Sequence, residues 1–285
     1  MKNLIQTTFA DYELLDSGDG QRLERYGAYC IARPDPQALW QPHLPKAQWA
    51  KADATYNDKK WHYKTNMPER WPITYKDLTF YARLTPFKHT GIFPEQAVMW
   101  DWIGDQITNS DMKNPNVLNL FGYTGIASVA ASKAGAQVTH IDASKPAITW
   151  ARENMIASGL PPTAIRWILD DVITFLKREV KRNNTYDAVI LDPPVYGHGP
   201  KGELWDFFKQ TPLLLSLVKS VLSEKPLFLL MNAYAISASS IMLENVIDDL
   251  MKDMQGTTTS GELILQESTG SRLLSTGIYG RWERK

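Results

Sequence analysis

From Pro94 onward, short apolar segments alternate with segments of helical spacing, and this alternation constrains the fold more than any other feature. The segments predicted as strands are NVLNLF (116–121), QVTHID (137–142), AIRWIL (164–169), YDAVILD (186–192) and PLFLLMN (226–232). The helical pattern begins at PEQAVMWDWIGDQIT (94–108) and returns after each strand, with LWDFFKQTPLLLSLVKSVL (204–222) after the fourth. Strands that alternate with helices favour a parallel sheet covered on both faces, so an α/β fold is predicted.

The two ends of the chain follow other patterns. GELILQES (261–268) and LSTGIYGRWE (274–283) have the character of strands joined by a loop, which predicts an antiparallel hairpin added to the sheet. Residues 1–88 show short extended runs and prolines too dense for helix interiors, and residues 71–86 are predicted to form two strands that turn at Lys76–Asp77. We therefore predict a smaller β-rich domain over residues 1–88 and an α/β domain over residues 89–285.

Composition excludes several classes of protein. The chain has one cysteine, Cys30, which rules out an internal disulfide and a multi-cysteine zinc site, and we predict no metal site. Lysine plus arginine and aspartate plus glutamate both number 31, so no bulk charge attracts nucleic acid, although a local basic patch stays possible. No apolar run reaches the roughly 18 residues of a membrane span, and the first residues lack a signal-peptide pattern. We expect a cytoplasmic protein with no membrane partner.

Polar residues stand at the ends of four successive predicted strands. The first strand runs into Asn119–Gly125, a turn whose two glycines let a ligand approach backbone amides at a helix N-terminus. The second ends in Asp142, where an acid typically accepts hydrogen bonds from a ribose diol. The third ends in Asp170–Asp171, of which one acid can cap the next helix and the other can accept from an adenine amine. The fourth ends in Asp192-Pro193-Pro194. Any one of them could be a simple turn, but the set together predicts a cofactor site at the carboxyl edge of the sheet.

Two stretches carry a resemblance to a known family. VLNLFGYTGIASVAASKAGAQVTHIDASKPAITWARENM (117–155) and YDAVILDPPVYGHG (186–199) closely resemble class I S-adenosylmethionine-dependent methyltransferases. The nearest branch is that of the large-subunit ribosomal RNA methyltransferases, which share N-x-F-x-Y-T-G and D-P-P-x-F, and TGIFPEQ (90–96) is similar to that branch's TG-x-F-x-x-Q segment. The resemblance covers residues from about 73 to 285. It implies a Rossmann-like, mostly parallel sheet of seven strands with a C-terminal antiparallel hairpin, and S-adenosyl-L-methionine as the cofactor.

The resemblance also implies which residues contact the cofactor. The Gly122–Gly125 turn would hold its methionine part, Asp142 the ribose and Asp171 the adenine, while Phe93 and Gln96 would border the cofactor from outside the sheet. The full set of residues expected to bind the cofactor is Phe93, Gln96, Asn119, Phe121, Gly122, Tyr123, Thr124, Gly125, Asp142, Ser144, Asp170, Asp171 and Asp192.

The methyl acceptor is expected at Asp192–Tyr196. The two prolines fix the backbone after Asp192, so that its carboxylate or nearby carbonyls can receive an N–H of the nucleophile, and Tyr196 can stack on a flat ring. Asp192, Pro193, Pro194 and Tyr196 are therefore the candidate catalytic residues. The glycine-rich loop that follows could close over the substrate. The alternative is that Tyr196 only packs and that His198 in the loop is merely solvated.

Three classes of function stay open. Methylation of cytosine at carbon 5 needs a cysteine nucleophile, and no cysteine stands near the D-P-P segment or the fifth strand, so we predict a nitrogen or oxygen acceptor. The first possibility is methylation of a base nitrogen in ribosomal-type RNA. The second is a small-molecule methyltransferase with the N-terminal β domain as a lid, and the third is a non-catalytic protein that only binds the cofactor.

Overall fold

The structure, a computed structural model, describes residues 3–6 and 9–285 and contains two compact units. The unit referred to below as the β unit comprises Ile5–Val98 and Leu263–Thr276. The unit referred to as the α/β unit comprises Met99–Glu262 and Gly277–Lys285, with the described residues up to Leu4. The predicted domain division at residue 88 stays a prediction.

The first part of the chain forms strands with one short helix. In chain order its elements are β1 (Leu4–Gln6), β2 (Tyr12–Gly18), β3 (Gln21–Tyr26), β4 (Tyr29–Pro34), α1 (Lys46–Trp49), β5 (Ala54–Asn57), β6 (Lys60–Tyr63), β7 (Trp71–Tyr75), β8 (Leu78–Ala82) and a 3-10 helix, Pro94–Gln96. Strands β2 to β6 form a five-stranded sheet in that order, and β7 pairs with β8. The predicted turn at Lys76–Asp77 therefore joins β7 and β8 as expected, with Lys76 at a φ of 53°.

Helices and strands alternate through the rest of the chain. The elements are α2 (Ala97–Thr108), β9 (Asn116–Leu120), α3 (Ile126–Lys133), β10 (Gln137–Asp142), α4 (Lys145–Ala157), β11 (Ile165–Leu169), α5 (Val172–Lys181), β12 (Ala188–Leu191), β13 (Tyr196–His198), β14 (Leu204–Asp206), α6 (Phe207–Val221), β15 (Phe228–Ala233), α7 (Ser240–Met251), β16 (Gly256–Gln266) and β17 (Leu273–Arg284).

The main sheet has the strand order β1-β16-β17-β15-β12-β9-β10-β11. Strands β15, β12, β9, β10 and β11 run parallel to one another, whereas β17 runs antiparallel to β15, so the predicted parallel sheet and its antiparallel C-terminal addition are both confirmed. The strand order reverses between β9 and β12, and in open parallel sheets ligands bind beside such a switch point, at the carboxyl ends of the strands. The sheet has one strand more than the seven predicted, because the three-residue β1 is too short to show a periodic pattern.

The segment after the fourth strand differs from the prediction. The helix expected to begin at Leu204 begins at Phe207, because residues 204–206 form β14 and pair with β13. Asp206 explains the later start, since its side chain accepts a hydrogen bond from the Lys209 amide at 3.3 Å and caps the helix. The glycine-rich loop is therefore a β-hairpin with a short connection at residues 199–203.

A continuous apolar core supports the carboxyl edge of this sheet. Its fully buried members include Leu118 and Leu120 on β9, Leu191 on β12, and Leu214 and Val218 on α6. A buried aliphatic side chain contributes about 1.5–3 kcal/mol relative to an exposed one, so this cluster fixes where the strands end. Within residues 3–6 and 9–285, no helix is both long and apolar enough to cross a membrane.

Candidate functional site

The turn after β9 has an unusual backbone. Phe121, Tyr123 and Gly125 have φ angles of 58°, 47° and 76°, in the left-handed region that glycine adopts most readily. The Gly122 amide donates to the Ile141 carbonyl at 3.0 Å and the Gly125 amide to the Gly122 carbonyl at 2.9 Å. A non-glycine residue in this region costs of order 1–3 kcal/mol, and such residues cluster at functional sites. The surrounding structure therefore holds the turn in a conformation that the isolated chain disfavours.

Beneath this turn lies a buried chain of polar side chains. Asn119 Nδ2 donates to Ser128 Oγ at 2.8 Å, and Ser128 Oγ lies 3.0 Å from His140 Nδ1. Burial lowers the pKa of the His140 imidazole to about 3, so the ring is neutral at pH 7. A Cβ atom on Gly122 would overlap this imidazole. Residue 122 therefore has to be glycine as long as His140 stands under it.

The Asp142 carboxylate follows β10 and joins this turn to the next helix. Its Oδ2 accepts from the Tyr123 amide at 2.8 Å and its Oδ1 from the Ser144 amide at 2.7 Å. Burial raises the pKa of the Asp142 carboxyl, while the two amides favour its charged form. Ser144 caps α4, since its Oγ accepts from the Ala147 amide at 3.3 Å. Each carboxylate oxygen has a second lone pair, so Asp142 can also accept hydrogen bonds from a diol.

The two acids after β11 have separate local partners. Asp171 caps α5, because its Oδ1 accepts from the Thr174 amide at 2.8 Å. Asp170 forms an ion pair with Arg178, and its Oδ1 accepts from the Asp171 amide at 3.0 Å. The acid that the resemblance assigns to adenine is thus also the helix cap. Its contact with an adenine amine stays a prediction.

The acid-Pro-Pro segment leads directly into the hairpin of β13 and β14. The Asp192 amide lies 3.4 Å from the Leu120 carbonyl, which ties the start of the segment to the end of β9. The Trp205 indole donates to the Pro194 carbonyl at 2.6 Å, so one of the carbonyls considered as an acceptor for the substrate already has a partner. Tyr196 is 68% exposed at the base of the hairpin. Its ring therefore does not pack in the core, contrary to the structural alternative considered for it.

The register places other polar groups along the same edge. Leu120 pairs with Ile141 on one side and with Leu191 on the other, so the residues that follow them, among them Asp142 and Asp192, lie along one edge. Leu191 in turn pairs with Met231, and Asn232 follows it. Asn232 is buried, and its Oδ1 accepts no hydrogen bond from the described residues. Asn232 was not among the residues predicted from the sequence, although an amide directly after the apolar run PLFLLM could have indicated a polar group at this strand end.

The remaining predicted residues divide between the units. Thr124 belongs to the turn, and its carbonyl accepts from Asn154 Nδ2 at 2.9 Å. Phe93 and Gln96 lie in the β unit, where the Gln96 amide donates to the Phe93 carbonyl at 3.0 Å as the 3-10 helix begins. Their role as a border of the cofactor site stays a prediction.

These features fit S-adenosyl-L-methionine. Gly122 lets the backbone of the turn lie directly over the His140 ring, and Asp142 offers a fixed carboxylate to a ribose diol. In the described α/β unit these groups meet at the carboxyl ends of parallel strands beside the switch point of the sheet. That position is the usual one for nucleotide-like ligands in such sheets.

Comparison with known proteins identifies the family. The family model of S-adenosylmethionine-dependent methyltransferases matches residues 50–248. A crystal structure of a methyltransferase of this kind from Agrobacterium tumefaciens is 42% identical, covers 100% of this chain and 94% of that one, and superposes with a TM-score of 0.96. Ribosomal RNA large subunit methyltransferase K/L from Shewanella frigidimarina is 36% identical over 45% of this chain, and its counterpart from Pseudoalteromonas atlantica is 30% identical over 71%. The chain spans 17% and 27% of the lengths of those two relatives. The chain therefore belongs to the S-adenosylmethionine-dependent methyltransferases, and S-adenosyl-L-methionine is its cofactor.

Proposed function

We propose that the chain methylates a nitrogen of a base in RNA, with ribosomal RNA as the substrate class and the cytoplasm as its location. Two relatives that carry the name ribosomal RNA large subunit methyltransferase support the substrate class. Cys30 is the one cysteine of the chain and so the one candidate nucleophile for methylation at carbon 5. Its environment does not suit that role, which supports a nitrogen acceptor. Burial and the Asp53 carboxylate raise the pKa of its thiol, which disfavours the thiolate that carbon-5 chemistry requires.

The observation that carries the proposal is the exposed ring of Tyr196. It stands four residues after Asp192 on a hairpin fixed by the Trp205–Pro194 hydrogen bond. An exposed aromatic ring at a fixed position suits a flat base, which must leave its stack to reach an enzyme site. Asp192 would accept the N–H of that base and align the nitrogen, and Asn232 at the neighbouring strand end would position it. Holding the two reactants in line is the main contribution that the protein can make.

We further propose how the chain holds the cofactor, which supplies an activated methyl group. The carbonyl oxygens of the Gly122–Gly125 turn, each with two lone pairs, would accept from the ammonium group of its methionine part, with Asn119 keeping the turn in place from below. Asp142 would accept from the ribose, and Asp171 would accept from the adenine amine with the oxygen that the cap leaves free. Phe93 and Gln96 would border the cofactor.

The test is to separate cofactor affinity from methyl transfer in variants of the acceptor site. Tyr196→Ala should keep cofactor affinity and lower transfer to RNA about ten- to hundredfold, the scale of base stacking on an aromatic. Tyr196→Phe should keep most of the activity, because it keeps the ring. Asp192→Ala should lower transfer far more than it lowers cofactor affinity, as measured by calorimetry and by transfer of labelled methyl into total RNA.

The matched control is a variant of the part of the site proposed to bind the cofactor. Asp142→Ala should weaken cofactor binding by about 1–3 kcal/mol, because a charged hydrogen-bond partner is lost. The proposal fails if labelled methyl enters only the small-molecule fraction of an extract, which would support the small-molecule alternative. Wild-type transfer by both Ala variants of the acceptor site would reduce the acid-Pro-Pro-x-Tyr segment to a rigid turn.

A further inference from the structure

The hairpin of β5 and β6 in the β unit presents lysines at its turn. Asp58 and Lys59 have φ angles of 47° and 61°, the two left-handed positions of a tight turn that matches the twist of the flanking strands. Lys59 and Lys60 are exposed, and neither forms an ion pair with another residue of the described part of the chain. The hairpin thus carries two exposed cations, neither in an ion pair, at a fixed place.

Aromatic rings stand beside this turn. Tyr63, at the end of β6, is 56% exposed, and Phe87, in the loop after β8, is 77% exposed. That loop is tied to the hairpin, because Trp61 Nε1 donates to the Thr85 carbonyl at 2.7 Å and Tyr56 Oη to the Pro86 carbonyl at 2.7 Å. Phe87 is therefore an exposed ring on a fixed loop. Tyr63 lies two residues from Trp61 and so on the same face of β6, the face that contacts the loop of Phe87, whereas Lys60 stands beside the turn and projects from the opposite face.

The acids near these residues do not cancel the charge of the turn. Asp53 accepts from the Cys30 amide and from the Thr65 hydroxyl, both at 2.8 Å, and keeps its negative charge, but residues 50–65 hold four lysines and only two acids. Asp58 sits in the turn itself and balances at most one of the two lysines. The local charge is positive although the chain as a whole is neutral.

We propose that Lys59, Lys60, Tyr63 and Phe87, the β5–β6 surface, bind single-stranded RNA. The inference rests on the proposed function, since it assigns a second contact to the same substrate class. Single-stranded nucleic acid is held by cations that contact phosphates and by aromatic rings on which bases stack without sequence preference. The two lysines provide the first and the two rings provide the second, on one hairpin and the loop attached to it.

The experiment measures binding of a fluorescein-labelled, unstructured RNA of about 16 nucleotides to the full chain over a range of salt concentrations. The double variant Lys59→Gln/Lys60→Gln should bind roughly tenfold more weakly, and the slope of log affinity against log salt should fall by about 1.4. Phe87→Ala should weaken binding about five- to hundredfold with the salt slope unchanged, and Phe87→Tyr should bind as the wild type does.

The matched control is Lys225→Gln/Lys252→Gln, which removes two exposed lysines of the α/β unit and should leave affinity and slope unchanged. Melting temperatures and cofactor affinity of all variants should equal those of the wild type. The inference is overturned if the wild type does not bind the RNA, or if the β5–β6 variants bind as tightly as the control.

Parallel measurement of methyl transfer separates this inference from the proposed function. RNA binding through the β5–β6 surface without any transfer of labelled methyl into total RNA would overturn the proposed function alone. RNA that accepts methyl at the wild-type rate in the lysine and phenylalanine variants, with unchanged affinity, would overturn the inference alone.

Discussion

One inner strand from the sheet of each unit shows two different ways of building a buried strand. In the α/β unit, β12 buries only aliphatic residues, Ala188–Leu191. In the β unit, β3 buries Glu24 with no exposed surface, and Arg33 on β4 is 3% exposed. A strand covered on both faces by helices can be apolar throughout, whereas β3 depends on charges that only its neighbours neutralise.

Glu24 is the centre of a buried polar network. Arg33 binds both carboxylate oxygens, with Nε at 2.5 Å and Nη2 at 3.0 Å, and Tyr12 Oη donates at 2.9 Å. Arg22 Nε adds a contact at 3.3 Å. Burial alone would raise the pKa of the Glu24 carboxyl, but Arg22 and Arg33 outweigh it and hold the pKa at about 2. The network is stable because each charge has its partner, and it should fail when one is removed.

The Asp16 carboxylate in the same unit is a second buried charge with several hydrogen-bond partners. Its carboxylate accepts from the Ser17 amide at 3.0 Å, the His43 amide at 3.1 Å, the Leu44 amide at 2.8 Å and Trp49 Nε1 at 2.9 Å. These donors come from a strand, a loop and a helix, so one buried acid organises several segments. Buried polar groups with all partners present specify one arrangement, and a group that loses a partner is costly.

The largest expected effect comes from removing the charge of Glu24 while its side chain keeps its shape. Glu24→Gln should destabilise the folded protein by about 3–5 kcal/mol, because it leaves the buried Arg33 guanidinium without its counter-charge. The matched exchange Leu229→Met, in the apolar strand β15, should cost less than about 1.5 kcal/mol. Urea unfolding of the full chain measures both.

A second variant keeps this prediction decisive. In Glu24→Leu/Arg33→Met both charges are replaced, so a large part of the lost stability should return. If Glu24→Gln costs no more than Leu229→Met, the network contributes nothing that an ordinary core would not, and the contrast between the units disappears.

The next effect tests the packing under the cofactor turn. Gly122→Ala should cost about 1–3 kcal/mol of stability and weaken cofactor binding, because the added methyl group overlaps the His140 ring. Adding His140→Ala removes the obstacle, so the double variant should bind the cofactor more tightly than Gly122→Ala alone. Calorimetry with S-adenosylhomocysteine measures this, and a double variant no better than the single one would show that the ring is not what limits residue 122.

The contrast between the units also explains how far the sequence could be interpreted. Apolar runs such as Ala188–Leu191 and the acids that follow them were predictable, because a parallel sheet places all strand ends at one edge. The pairing of Glu24 with Arg33 was not, since it depends on the register of two antiparallel strands. The positive φ angles of Phe121 and Tyr123 could not be predicted from the sequence either, because neighbouring segments impose that backbone conformation.

The hairpin after Pro194 shows the same limit. Residues 204–206 have apolar and aromatic character that suits the first turn of a helix, and only pairing with β13 makes them a strand. The hydrogen bond of Trp205 to the Pro194 carbonyl could be found only in the three-dimensional structure, whereas Asp192 and Tyr196 were predicted as candidate residues from their position after a strand, and their roles stay predictions. Short-range pattern thus predicted where the candidate site lies, and long-range pairing determined its detail.

The smallest effect compares the buried His140 of the α/β unit with the half-buried His89 of the β unit by their response to pH. Burial lowers the pKa of His140 to about 3, and burial together with Arg33 and Lys88 lowers that of His89 to about 4. Both values lie below the unperturbed pKa of about 6.5. Between the folded-state pKa and pH 6.5, each histidine therefore binds a proton in the unfolded chain but not in the folded chain. Above about pH 6.5 neither state is protonated, and each histidine ceases to affect the pH dependence. Below it, the free energy of unfolding should fall by about 1.4 kcal/mol per pH unit for each histidine.

At pH 5.5, therefore, the loss of stability relative to neutral pH should be about 1.4 kcal/mol smaller in His140→Asn, and equally in His89→Asn, than in the wild type. The two should differ only below pH 4, where His89 also becomes protonated in the folded chain and His140 does not. Urea unfolding at a series of pH values provides the comparison, and curves parallel to that of the wild type would mean that these rings are charged in the folded protein.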